Sequence, residues 1–150
     1  MIEVDERFEV AAPPAVVWAL LADPYAMVGC VPGAAIVGES DDGTLDTTLS
    51  VKFGPLSVSF QAFANLTLDP EAMRGTLSAR GKDKLGGARF TSEATFVVTG
   101  TAGGSRVVVT GNVDISGRLA SMIEGGAGAV VKRMASAFAE CLQARVASTV

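Results

Sequence analysis

The side chains that most often move protons or hold metals are scarce in this sequence. It has no histidine, so both the commonest general base and the commonest metal ligand are missing. Its two cysteines, Cys30 and Cys141, lie far apart and form neither a metal-ligand spacing nor a redox pair. The expectation is two free thiols in a reducing cytosol. Asp41-Asp42, preceded by Glu39 and followed by Gly43, reads as solvated turn chemistry rather than an acid–base dyad. Lys82, Asp83 and Lys84 read as a charged hairpin end. Gly126-Ala127-Gly128 lacks the lysine and the spacing of a phosphate loop. Thr47 and Ser92 are hydroxyls on otherwise apolar strand faces, where they either bond a ligand carbonyl or satisfy backbone. The sequence therefore predicts no catalytic residue, no metal ligand and no cofactor. The remaining chemistry is that of an apolar surface.

That surface must be built by recognisable elements. Glu3 to Val10 reads as a strand with Val4, Phe8 and Val10 on one face. Pro13-Pro14 suits the first turn of a helix over Ala15 to Ala22, which Asp23-Pro24 ends. A second short helix follows from Pro24 to Cys30, and Pro32-Gly33 returns the chain to extended structure. Turn signals then recur at Asp41-Asp42-Gly43, Gly54-Pro55, Asp69-Pro70, Gly81 to Gly87 and Gly103-Gly104. The segments between them alternate: Leu45, Thr47, Leu49, Val51 and Phe53; then Leu56 to Leu68 by twos; then Ala88 to Val98 by twos; then Val107, Val109, Val113 and Ile115. Period-two alternation with short turns means an antiparallel sheet with one dry face, a meander of about six strands plus the N-terminal one. After that the period changes. Leu119, Ile123, Ala127, Val130, Met134, Phe138 and Cys141 form one face of a long helix, with Lys132, Arg133, Ser136, Glu140 and Gln143 opposite.

The predicted fold class is therefore α+β over residues 1–150 as one domain: a curved antiparallel sheet of about seven strands gripping a long C-terminal helix, with two short helices after the first strand. Several facing positions are small, which argues for a cavity between sheet and helix. The candidate ligand-binding residues are Trp18 from the first helix; Leu49, Val51, Phe53, Phe60, Ala62 and Ala64 from the first hairpin; Phe90, Ser92, Ala94 and Phe96 from a later strand; and Ile123, Ala127, Val130, Met134 and Phe138 from the final helix. Gly125, Gly126 and Gly128 sit inside that helix at a cost of about 1 kcal/mol each relative to alanine. They mark a hinge over the cavity, a helix that starts only at Ala129, or a close approach of helix to sheet.

Composition excludes other classes. Of 150 residues, 49% are hydrophobic and 19% charged, which argues against disorder. A formal charge of −4 without a basic stripe argues against nucleic acid as a partner. No apolar run is long enough to span a bilayer, and the acidic start Glu3-Val4-Asp5-Glu6 is unlike a signal peptide. The final helix carries too few cations on its polar face for strong interfacial binding.

Ordered short motifs connect the chain to a known group. Phe8-Glu9-Val10 with Ala12-Pro13, Val17-Trp18 and Leu20-Leu21 before Asp23-Pro24, Cys30-Val31-Pro32-Gly33, Val51-Lys52-Phe53-Gly54-Pro55 and Ser116-Gly117-Arg118-Leu119-Ala120 occur in sequence. Together they resemble the G-subunit family of carbon monoxide dehydrogenase, within the START-like (SRPBCC) helix-grip superfamily. The resemblance implies a non-enzymatic accessory to a molybdenum hydroxylase of the carbon monoxide dehydrogenase type. It implies recruitment of that enzyme to the cytoplasmic membrane and carriage of a quinone or similar lipid. Membrane-attached relatives extend beyond the domain with a C-terminal tail, whereas this sequence stops at Val150. The expectation is a cytoplasmic shuttle touching the inner face of the membrane only transiently. A docking module without ligand transport is the alternative, and a cyclase or hydrolase is disfavoured by the missing histidine.

Overall fold

The computed structural model describes residues 2–149, except the side chains of Glu124, Ser148 and Thr149. Strand β1 spans Ile2–Val10. Helix α1 (Pro14–Leu21) opens on Pro13 and Pro14, whose restricted backbone suits a helix start. Helix α2 (Pro24–Gly29) is capped by Asp23, whose Oδ1 accepts the Tyr25 N–H at 3.0 Å. Six strands follow: β2 (Ala34–Glu39), β3 (Leu45–Phe53), β4 (Leu56–Asp69), β5 (Arg74–Asp83), β6 (Arg89–Thr101) and β7 (Gly104–Ser116). Helix α3 runs from Ala120 to Thr149. At 1.5 Å per residue its 30 residues span about 45 Å.

The seven strands form one antiparallel sheet in the order β1-β7-β6-β5-β4-β3-β2. Consecutive strands pair by hairpins, and β1 closes onto β7 with Phe8 opposite Val107. The alternation expected from sequence is present: Leu45, Thr47 and Val51 on β3 and Val58, Phe60, Ala62 and Ala64 on β4 are all buried. Helix α3 packs against β1 and β7 at one side of the sheet and β3 at the other. The sheet thus curls around the helix, which is the helix-grip arrangement. Lys132, Arg133, Ser136, Glu140 and Gln143 face outward, as their spacing predicts.

The core is divided. One cluster joins α1, α2, β1, β6, β7 and the last turns of α3 through Val17, Leu21, Val28, Val98, Val107, Leu142 and Val146. A second joins the opposite end of the sheet to the first turns of α3 through Val58, Phe60, Ala88, Ile123 and Ala127.

Three expectations require correction. The cysteines are not free: Cys30, at the end of α2, is disulfide-bonded to Cys141 in α3. The fold brings their Cα atoms to 5.4 Å, within bridging range, across a sequence separation of 111 that spacing rules do not address. Asp83 is not a solvated hairpin charge. It faces inward, only 8% exposed, and Oδ2 accepts the Gly87 N–H at 3.3 Å. The fourth turn is also shorter than expected, because β5 continues through Gly81 to Asp83.

Candidate functional site

The cross-strand register builds the concave face in rows. One row runs Ala64, Ala79, Ser92, Val113 across β4, β5, β6 and β7. The next runs Leu66, Leu77, Ala94, Gly111. Larger rings flank these rows. Phe90 lies over Gly81, where an added Cβ would approach the ring to 2.5 Å, and Phe96 lies over Gly75, where an added Cβ would collide with it. Glycine at these two positions lets each ring lie flat on the neighbouring strand. Phe90 meets Phe60 edge-on at 4.9 Å between centroids, and Phe96 meets Trp18 at 5.9 Å. Such pairs anchor each end of the face.

Between the anchors the floor is made of small side chains. Ala79, Ser92, Ala94 and Val113 point toward α3 yet remain half-buried. An inward side chain that keeps solvent contact is not sealed by its neighbours, so this strip, the trough, is not closed core packing. The inner face of α3 crosses it with Ala127, Val130 and Met134, between Ile123 in one cluster and Phe138 near the other. Phe138 meets Phe8 of β1 edge-on at 6.4 Å between centroids.

The sixteen candidates from sequence thus fall into three groups. Trp18, Phe96 and Phe138 belong to the first core cluster. Leu49, Phe53, Phe60, Phe90, Ile123 and Ala127 belong to the second. Ala62, Ala64, Ser92, Ala94, Val130 and Met134 belong to neither cluster, while Val51 is buried on β3 beyond Leu49. Both hydroxyls are engaged with backbone: Thr47 Oγ1 donates to the Ala62 carbonyl at 3.1 Å and Ser92 Oγ donates to the Asn112 carbonyl at 3.0 Å. Sequence reasoning missed the β5 contribution of Leu77 and Ala79. Their alternation with Gly75 and Gly81 is a signal, obscured by Arg74 and Arg80 on the opposite face. It also missed Glu6, a half-buried carboxylate on the concave side of β1, opposite Val109.

The turn acids are as expected. The Thr44 backbone N–H, 3.0 Å from Asp42 Oδ1, holds that carboxyl below its usual range, in an Asx turn away from the trough. A separate groove of about 330 Å³ lies between the end of β1 and the last turns of α3, lined by Val10, Ala11, Gln143, Val146 and Ala147. The amide there is spoken for, since Gln143 Nε2 donates to the Glu9 carbonyl at 3.0 Å.

Gly125, Gly126 and Gly128 lie inside α3, and an added Cβ would meet no atom within 4 Å at any of them. The helix therefore does not wait until Ala129 to begin, nor do these glycines serve close packing on the sheet. Gly126→Ala should raise stability by about 1 kcal/mol in urea unfolding and slow amide exchange over residues 124–129. A loss of stability would mean that the segment needs glycine's backbone freedom.

Against known proteins, the sequence profile of the carbon monoxide dehydrogenase G-subunit (CoxG) matches residues 7–147. The chain belongs to the CoxG family. No curated protein sequence matches it. Among solved structures, a conserved protein from Geobacillus kaustophilus superposes with a TM-score of 0.83 at 18% identity, covering 99% of this chain and 97% of that one. A START superfamily protein from Mycobacterium smegmatis gives a TM-score of 0.66 at 17% identity, covering 99% of both chains. The Zhui aromatase/cyclase from Streptomyces sp. R1128 gives 0.66 at 17% identity, covering 96% of this chain and 92% of the cyclase. At these identities the likeness concerns the START-like fold of the CoxG chain. CoxG membership and this fold support a ligand-binding accessory protein in general terms. Among the described residues, no helix is long and apolar enough to cross a membrane, and no group of three or more potential ligands could hold a metal ion.

Proposed function

We propose that this CoxG chain is a non-catalytic carrier for an apolar molecule with an extended tail, a quinone or similar lipid, and serves a molybdenum hydroxylase of the carbon monoxide dehydrogenase type. The observation that carries this reading is the half-exposed, small-residue floor between two separate core clusters. An isoprenoid tail laid along Ala79, Ser92, Ala94 and Val113 replaces water there with apolar contact, at about 0.8 kcal/mol per buried methylene. The rings of Phe60 and Phe90 at one end and Phe96 and Trp18 at the other are suited to stack on a quinone head. The backbone bonds of Thr47 and Ser92, and the Gly87 contact of Asp83, leave these groups as structural partners rather than acid–base pairs. That favours carriage over the cyclase chemistry of a protein with the same fold.

Native mass spectrometry on protein purified from its own host, followed by organic extraction, tests the reading. The expected result is an isoprenoid quinone or other lipid near one-to-one stoichiometry. A clean apo mass with no uptake after incubation with quinones would overturn it and leave a docking module for the enzyme.

A further inference from the structure

The concave side of β1 carries a single charged residue. Its inward positions are Ile2, Val4, Glu6, Phe8 and Val10, and Glu6 stands in the middle of them, half-buried. Among the described residues, no hydrogen bond or ion pair reaches its carboxylate. Glu9, on the outer face of the same strand, pairs with Arg106 at 2.8 Å. The facing stripe of α3, with Val130, Met134 and Phe138, offers Glu6 no cation. A charge on an otherwise apolar face breaks the local pattern, and such departures mark functional positions.

The register fixes where this carboxylate stands along the trough. Glu6 is opposite Val109 on β7, and Val109 is opposite Phe96 on β6. Glu6 and Phe96 therefore share a row, two interstrand spacings or about 10 Å apart. Phe96 is the ring that meets Trp18. The next row holds Val4, Gly111 and Ala94, and the one after it Ile2, Val113 and Ser92. The half-buried floor thus leads away from Glu6 toward the other aromatic pair. At that far end the nearest carboxylate is Asp83, opposite Phe60, and it already accepts the Gly87 N–H at 3.3 Å.

This asymmetry selects a head group. An ionised carboxylate accepts hydrogen bonds and has none to donate. A quinone head presents carbonyl acceptors, so it would strip water from Glu6 and leave it unpaired. A hydroquinone head presents O–H donors. A site that bonds a ligand O–H rejects the analogue lacking it, because its own polar group is then left without a partner.

We infer that Glu6 makes the trough selective for the hydroquinone over the quinone, with the head at the Phe96–Trp18 end and the tail along Ala94 and Ser92. This selectivity rests on the carrier reading and adds the redox state and orientation of the ligand. A ligand held in that state is supplied by a reaction that adds two electrons and two protons to a quinone.

Trp18, the single tryptophan, lies at the assigned head position and reports binding by fluorescence. Anaerobic titrations with decylubiquinone and with its separately prepared hydroquinone give the two dissociation constants. The unmodified chain is expected to hold the hydroquinone about tenfold more tightly. That ratio raises the midpoint potential of the bound couple by about 30 mV. Glu6→Gln keeps the side-chain shape and adds an amide N–H that can meet a quinone carbonyl. It should weaken hydroquinone binding, strengthen quinone binding and bring the ratio near one. Glu6→Ala, which removes acceptor and donor alike, should also level the two affinities. Equal affinities in the unmodified chain, or a preference that survives both substitutions, would overturn the inference while the carrier reading stood. Binding of neither form would overturn both.

Discussion

Ala94→Phe is expected to lower quinone affinity by about a hundredfold while leaving the fold as stable as before. Ala94 sits on β6 between Leu77 and Gly111, faces α3 and is half-buried. A phenyl ring there enters the trough across the glycine, where no cross-strand side chain opposes it. It displaces roughly four carbons of a bound tail. At about 0.8 kcal/mol per methylene, the loss is about 3 kcal/mol, or two decades in Kd. Forcing a ring into a closed core instead costs about 1–3 kcal/mol of stability. Titration with a quinone and urea unfolding of the same variant therefore give paired readouts. Weakened binding with unchanged stability supports the trough. Unchanged binding places the ligand elsewhere, and a marked loss of stability means that the floor is packed shut.

The second large effect is expected from the Cys30–Cys141 bond. It ties the end of α2 to α3 and closes a loop of 111 residues. Chain entropy alone gives about 4–5 kcal/mol for a loop of this size, and disulfides of this kind typically deliver about 2–4 kcal/mol. With a urea slope of about 1–3 kcal/mol/M, reduction or Cys141→Ser should move the unfolding midpoint down by roughly 1–2 M. Coincident urea curves with and without reductant would show that the bond adds nothing to stability. Cys30 is buried beside Met27 and Val28, so the serine is better placed at half-buried position 141.

Much of this architecture was legible because burial writes itself into sequence with a fixed period. Leu45 to Phe53 and Leu56 to Leu66 alternate because one face meets the core and the other meets water, while Leu68, at the end of the same stripe, runs out into solvent; the spacing of Ile123, Ala127 and Val130 follows from one helix face lying on the sheet. Strand β5 was harder to read, since Gly75 and Gly81 interrupt the inward alternation on either side of Leu77 and Ala79. Their role emerges only when the register sets them opposite Phe96 and Phe90. The division of the candidate site has the same origin. Ala64 and Ala94 were recognisable as small inward residues, but their isolation between two clusters depends on which strands neighbour one another. The disulfide is a purely tertiary fact. Neither Cys30-Val31-Pro32 nor the helical stripe through Cys141 contains anything that names the other partner.

The pairing of β1 with β7 also has a consequence for biosynthesis. Phe8 finds its opposite, Val107, only after about a hundred further residues have been made. At about 5–20 residues per second, β1 waits roughly 5–20 s on the ribosome without its only neighbour in the sheet. Hairpins β2 to β7 can zip in order as they emerge, each closing a short loop, whereas the first strand adds last and at the largest loop-closure cost. During that interval Val4, Phe8 and Val10 have no strand to cover them. The alternating charges Glu3, Asp5, Arg7 and Glu9 are then what keeps this segment from pairing with another nascent chain.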